Sequence, residues 1–190
     1  IGWDADHINV EEVVRIVENA GAKAVMIHGR TRSQGYTGKA SLDWIKRAKE
    51  VARQIPVLGN GDIVSPESAL HMFSETGCDG IVIGRATMAK PWIVEDLRRF
   101  ALGLPPLSFS VEELREILRR HFEYIVSYKD ERKALVDMRR VGCWYFSHFT
   151  GAKAFRGAIS TARSLDEVRN LIETFSFISS KDQNEEPVNL

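Results

Sequence analysis

Three short stretches carry the residue types that can bind or transform a small molecule: His28-Gly29-Arg30-Thr31-Arg32, Gly59-Asn60-Gly61-Asp62 and Gly84-Arg85-Ala86. Glycines let backbone approach a ligand closely, and beside them stand an imidazole (His28), an amide (Asn60), a carboxylate (Asp62) and a guanidinium (Arg85). Arg85 suits a two-pronged grip on a phosphate, and the run into Ala86-Thr87-Met88 suggests a short helix start whose free N–H groups would favour the same anion. Taken singly, each stretch also reads as plain structure: Gly59 and Gly61 as a tight turn, Asp62 as a loop cap, Arg85 as the partner of a surface carboxylate. Their common position, each following an apolar run, favours a binding site.

The apolar runs are residues 22–28, 55–59 and 80–84, short enough to be strands buried on both faces of a sheet. Helical patterns alternate with them. Asn9 with Glu12 predicts a capping box before Val13, Val14, Ile16 and Val17, and Gly21 a stop. Ser41 predicts a cap for a helix through Trp44, Ile45, Ala48 and Val51, and Ser65-Pro66 a cap and first-turn proline before Ala69, Leu70, Met72 and Phe73. Such alternation is the signature of parallel βα units, whose ligands bind at the carboxyl ends of the strands, where the three polar stretches fall. The spacing fits a doubly wound sheet and a βα barrel equally.

The rest of the chain reads as helical. Ser110 with Glu113 caps a helix through Leu114, Ile117, Leu118, Phe122 and Ile125; a second passes through Ala134, Leu135, Met138, Val141 and Tyr145 to end near Gly151; Ser164 with Glu167 caps a last one through Val168, Leu171, Ile172 and Phe175. Leu102-Gly103-Leu104-Pro105-Pro106 reads as a linker, so the expected division is 1–103, 104–178 and a flexible tail, 179–190. Between Arg132 and Arg156 stand Arg132, Lys133, Arg139, Arg140, Lys153 and Arg156 against the single acid Asp137, interleaved with Trp144, Tyr145, Phe146, Phe149 and Phe155. That composition describes either a solvated face over an aromatic core or a surface that contacts nucleic-acid phosphates.

Composition bounds the rest. With 190 residues, 44% of them hydrophobic, and 26 basic against 26 acidic side chains, the chain excludes a disordered or collagen-like class. Without an apolar run of about 20 residues or a signal-peptide pattern, a soluble, cytoplasmic protein is expected. Cys78 and Cys143 form neither a disulfide framework nor a zinc cluster, and both read as packing residues. His7, His71, His121 and His148 have no partners at metal-ligand spacing, so no metal is expected.

From Ile1 to about Phe175 the chain resembles the C-terminal part of the bacterial tRNA-dihydrouridine synthases, in particular their DusB or NifR3-like subgroup. The motifs that carry the likeness are His28-Gly29-Arg30-Thr31-Arg32 with Tyr36-Thr37-Gly38, Ile55-Pro56-Val57-Leu58-Gly59-Asn60-Gly61-Asp62-Ile63, and Thr76-Gly77-Cys78-Asp79-Gly80-Ile81-Val82-Ile83-Gly84-Arg85 leading to Pro91-Trp92-Ile93. Met138-Arg139-Arg140, Trp144-Tyr145 and Gly151-Ala152-Lys153 resemble the family's tail domain.

The resemblance implies the C-terminal part of a TIM (β/α)8 barrel followed by an all-α helical-bundle domain, in a flavoenzyme that reduces the C5–C6 double bond of uridine in tRNA with FMN, recharged by NADPH. It places His28 by the flavin and uracil, Asn60, Gly61 and Asp62 at the ribityl and phosphate end, and Gly84 with Arg85 on the phosphate. Arg30 and Arg32, and Arg139, Arg140, Lys153 and Arg156 of the helical part, become expected tRNA contacts. The family's proton-donating cysteine and a cofactor-contacting lysine belong to a half-barrel before Ile1. This chain is therefore expected to be a fragment, inactive alone and open to self-association along its sheet edges. Two other readings stay open: a barrel isomerase or synthase binding a phosphorylated small molecule at Gly84-Arg85, and a non-enzymatic RNA-binding module.

Overall fold

Alternating helical and strand-forming runs become a parallel sheet with helices on one side in the computed structural model of the chain, which describes residues 1–146 and 150–176. The first compact unit, Ile1–Pro106, contains α1 (Val10–Asn19), β1 (Val25–His28), α2 (Leu42–Val51), β2 (Val57–Asn60), α3 (Pro66–Thr76), β3 (Gly80–Val82), α4 (Ala86–Ala89) and α5 (Ile93–Ala101). The second, from Leu107, contains α6 (Val111–Tyr128), α7 (Glu131–Val141), α8 (Ala152–Thr161) and α9 (Leu165–Thr174). The tail 179–190, His148 and Phe149 lie outside the described residues.

The strands pair in sequence order, β1-β2-β3, all parallel. Val25 stands opposite Val57, Ile27 opposite Gly59 and His28 opposite Asn60; Gly59 and Asn60 in turn face Ile81 and Val82. Pleating sends alternate residues to opposite faces. One face buries Ile27 and Val57 against Val14 of α1, Ile45 and Ala48 of α2, and Ala69 and Met72 of α3, each large side chain contributing about 1.5–3 kcal/mol. The other face is not covered within this unit. Met26 there is 57% exposed, and His28, Leu58 and Asn60 are half-buried. The expectation of strands buried on both faces fails because α1, α2 and α3 all pack on one side.

Two carboxylates satisfy the backbone where the chain enters the sheet. Glu18, in the last turn of α1, accepts from the N–H groups of Arg53, Gln54 and Ile55 at 3.0, 2.6 and 3.1 Å. Those amides, Gln54 foremost, hold its carboxyl below the usual range. Asp79 accepts from the Val57 N–H at 2.8 Å and from Lys49 Nζ at 2.7 Å, tying α2, β2 and the start of β3 together.

Ser41, Ser65, Ser110 and Ser164 cap α2, α3, α6 and α9, each accepting the N–H three residues on. At α1 the predicted Asn9–Glu12 box does not form. Asn9 sits at φ −136°, ψ 16°, away from the extended backbone a capping residue needs, and its side chain makes no cap bond.

In the second unit α7 packs against α6, α8 and α9 around Leu118, Phe122, Met138, Phe155 and Ile159, all fully buried. Buried Arg115 donates to the Phe175 carbonyl at 2.9 Å and to that of Ile172, satisfying carbonyls at the end of α9. The helix expected to reach Gly151 stops at Val141, with Gly142 at its end, and the turns that follow bury Tyr145 and Phe146, the latter at φ 57°. Gly151, at φ 93°, starts α8 instead of ending α7. Among the described residues no helix is long and apolar enough to cross a membrane.

Gly77 closes α3 in the left-handed region (φ 65°), donating its N–H to the Phe73 carbonyl at 2.9 Å. A Cβ there would meet nothing within 4 Å, so any penalty is backbone strain alone. Gly77→Ala is expected to lower stability by about 1 kcal/mol, read from the urea midpoint, with Gly77→Asn losing less. Unchanged midpoints in both variants would show that this turn is not a stabilising cap.

Candidate functional site

The sheet register brings His28, Asn60 and Val82 into one row at the carboxyl ends of β1, β2 and β3, on the face opposite α1, α2 and α3. Asn60 Nδ2 donates to the Val82 carbonyl at 2.6 Å, which leaves Oδ1 to accept from His28 Nδ1 at 2.6 Å. Placing the His28 proton on Nδ1, as this network requires, makes Nε2 an acceptor in the neutral ring. Among the described residues Nε2 takes no hydrogen bond. These residues, with Tyr36, Gly61, Asp62, Gly84 and Arg85, line a cavity of about 490 Å³, within the ~300–1,000 Å³ typical of small-molecule sites.

After Asn60 the chain turns sharply. Gly61 lies at φ 133°, and a Cβ on it would stand 2.5 Å from that of Ala40, so a side chain is excluded there. Asp62 follows at φ 54°, a strained conformation for a residue with a side chain. Its carboxylate is held from several directions. Arg30 Nη2 lies 2.7 Å from both oxygens, the Ala40 N–H donates at 2.8 Å, and Arg85 Nη2 donates at 3.3 Å. Burial pushes the Asp62 carboxyl up, but the bonds from Arg30 and Ala40 and the charges of Arg30 and Arg85 outweigh it, so it titrates below the usual range.

The two guanidinium groups differ in access. The Arg30 side chain is 2% exposed and that of Arg85 54%. Arg30 also donates to the Gly38 carbonyl at 2.8 Å, and its buried Nη1 finds no acceptor among the described residues. Arg85 lies over the Tyr36 ring, 4.6 Å from its centroid. Two cations sharing one carboxylate leave one positive charge uncompensated, and the accessible one is Arg85.

The cavity thus gathers His28, Asn60, Gly61, Asp62, Gly84 and Arg85. Gly59 does not belong to it: a Cβ there would meet Met72 Sδ at 2.8 Å, on the helix side of the sheet. Arg30, expected as an RNA contact, is a buried anchor whose Nε and Nη2 donate to the 37–38 carbonyls and to Asp62. Arg32 is exposed, with its guanidinium 5.9 Å from the Trp3 ring centroid. In the helical unit Arg140, Lys153 and Arg156 are exposed. Arg140 pairs with Asp137 at 3.1 Å and lies over Trp144, whereas Arg139 Nε is engaged by the Ala162 carbonyl at 2.7 Å. Sequence reasoning gave Tyr36 no role. Its signal was an aromatic residue in a glycine-rich loop, and it is 70% exposed. Buried Cys78 packs in the sheet–helix core. Cys143 donates to the Arg139 carbonyl at 3.0 Å, and burial pushes its thiol up. Among the described residues no three His, Cys, Asp or Glu side chains gather to hold a metal ion.

Parallel βα units with a cavity at the carboxyl ends of their strands define an α/β protein. The chain belongs to the dihydrouridine synthase (Dus) family, whose family model matches residues 1–180. It is 39% identical over 173 residues to a probable tRNA-dihydrouridine synthase of Mycobacterium leprae, covering 90% of this chain and 45% of that protein. It is likewise 39% identical over 180 residues to tRNA-dihydrouridine synthase B of Pseudomonas syringae pv. tomato (92% and 52%). A probable tRNA-dihydrouridine synthase 1 of Synechocystis is 35% identical over 174 residues (91% and 48%). The chain spans about half the length of the curated relatives it matches.

A carboxyl held below its ordinary value of 3.8 by the fold stabilises it above that pH and loses the contribution as the pH falls through the native value. Asp62→Asn is therefore expected to cost about 1–2 kcal/mol at neutral pH, solvent at Asp62 screening part of the pair. The difference should close below pH 3.8, in denaturation curves of both proteins. A difference independent of pH would mean that the charge of Asp62 does not hold the loop.

Proposed function

We propose that this chain is the C-terminal, cofactor-holding portion of an FMN-dependent tRNA-dihydrouridine synthase that reduces the C5–C6 double bond of uridine in tRNA. The observation that carries the reading is the cavity at the strand ends, where a preorganised His28–Asn60–Val82 row meets one surplus cation, Arg85. That donor set fits a ligand with a heteroaromatic ring and a phosphate. Arg85 and the Gly84 backbone would hold the phosphate end, and His28 Nε2 would accept from a ring N–H. Bound FMN would supply hydride to uridine, with NAD(P)H as its source.

The strand order and the one-sided helices favour a barrel. Doubly wound sheets reverse strand order and carry helices on both faces, whereas here each crossover leads to the next strand on the same side. On this reading the half-exposed face of Met26, Leu58 and Asn60 lines a TIM barrel whose other strands belong to the length of the relatives that this chain does not span. Cys78, buried in the sheet–helix core, is not placed to protonate uracil at the cavity. The reading assigns that proton donor to the same remaining length and expects the chain alone to be inactive.

A uridine must leave the base stack to reach such a cavity. Arg32 and the exposed Arg140, Lys153 and Arg156 would then contact tRNA phosphates, which position the RNA without reading its sequence.

FMN titration followed by flavin fluorescence tests the proposal, using this chain and the full-length protein. Saturable binding is expected, weakened at least about tenfold by Arg85→Ala through loss of a charge-assisted bond, and also by Asn60→Ala, which frees His28. Absence of binding by the full-length protein would overturn the flavin reading. Binding of phosphorylated sugars in preference to FMN would favour the isomerase or synthase alternative.

A further inference from the structure

We infer that Arg30 and Asp62 are positioning residues for Arg85, so that a buried guanidinium which never meets the ligand sets the cavity's grip on an anion. The inference rests on the proposed function only for the identity of that anion, the phosphate of a flavin nucleotide.

The carboxylate of Asp62 is already engaged. Arg30 Nη2 bridges both oxygens, Arg85 reaches Oδ1 and the Ala40 N–H reaches Oδ2, so three donors, two of them cations, converge on it. A phosphate brought against Asp62 would be repelled, so Asp62 acts through the cation it orients and not by touching the ligand. That departs from the role the family resemblance implies for it.

Arg30 fixes both walls against which Arg85 rests. On one side its Nη2 holds Asp62 at 2.7 Å. On the other it donates to the carbonyls of Thr37 and Gly38, at 3.4 and 2.8 Å, in the loop that carries Tyr36. Among the described residues the Tyr36 ring and the Asp62 carboxylate engage the Arg85 guanidinium. A long, half-exposed side chain is thereby held in place before any ligand arrives, which lowers the ordering cost of binding. Lysine in place of Arg30 keeps the charge but loses the planar fork that spans Asp62 and the two carbonyls.

The test follows Arg85 in the full chain with isotope-labelled arginine by NMR. In the parent protein the Arg85 Hδ and Hε signals are expected to carry a ring-current shift from Tyr36, identified by its loss in Tyr36→Leu. In Asp62→Asn and Arg30→Lys these signals should move to the position of a free arginine, while the amide signals of β1, β2 and β3 keep their dispersion. An Arg85 shift retained in either folded variant overturns the inference; Asp62→Asn, close to isosteric, serves if Arg30→Lys does not fold. A second readout compares FMN with riboflavin, which lacks the phosphate. Both variants should weaken FMN about tenfold more than riboflavin. Equal losses would mean a merely structural role and overturn the inference. Should neither flavin bind the full-length protein, the flavin reading falls, and the Arg85 signals still decide whether Arg30 and Asp62 position it.

Discussion

The mouth of the sheet depends on one ion pair between the buried guanidinium of Arg30 and the carboxylate of Asp62. Arg30 leaves the end of β1, Asp62 leaves the end of β2, and Arg85 follows β3, so a single carboxylate joins the exits of three strands. Its strained backbone at φ 54° persists because the pair and the Ala40 N–H over-determine it. Without the pair a cation would remain buried and unmatched, a cost the fold could not absorb cheaply. Hydrogen bonding along the row below, from His28 through Asn60 to Val82, then fixes the tautomer that the cavity presents.

Much of this was legible in the sequence. Three short apolar runs, each ending in a glycine-rich polar stretch, located the strands to within a few residues and placed His28, Asn60, Asp62 and Arg85 at one end of the sheet. Serine caps at Ser41, Ser65, Ser110 and Ser164 marked helix starts because a capping hydroxyl is a local interaction, written within four residues. Asn9 misled because its backbone is set by the neighbouring Gly2–Ile8 bridge, which spacing does not reveal.

The errors share a physical cause: they concern contacts between residues distant in the chain. An arginine beside a loop glycine reads as a surface cation, and only the fold reveals that Arg30 is enclosed by Asp62 and the 37–38 carbonyls. A hydrophobic strand reads as covered on both faces, whereas Met26 and Leu58 lie on the face opposite α1, α2 and α3. The turns after Val141 and the helix that follows Gly151 escaped for a similar reason, since the positive φ at Phe146 places its ring in a core built from distant residues.

The sequential order of the strands has a consequence for how the chain reaches its structure. In the first unit β1 pairs with β2 and β2 with β3, and α1 packs on α2 and α2 on α3, so the main contacts join each element to the next of its kind. The pairings Val25 with Val57 and Leu58 with Gly80 each close one crossover that carries a single helix, and each closure costs the entropy of that crossover alone. Each βα pair can dock as soon as its predecessor is in place, by accretion and not by a search among distant partners. Because a parallel pair must close its crossover before the pairing is rewarded, each strand edge stays open to other chains until the next strand arrives.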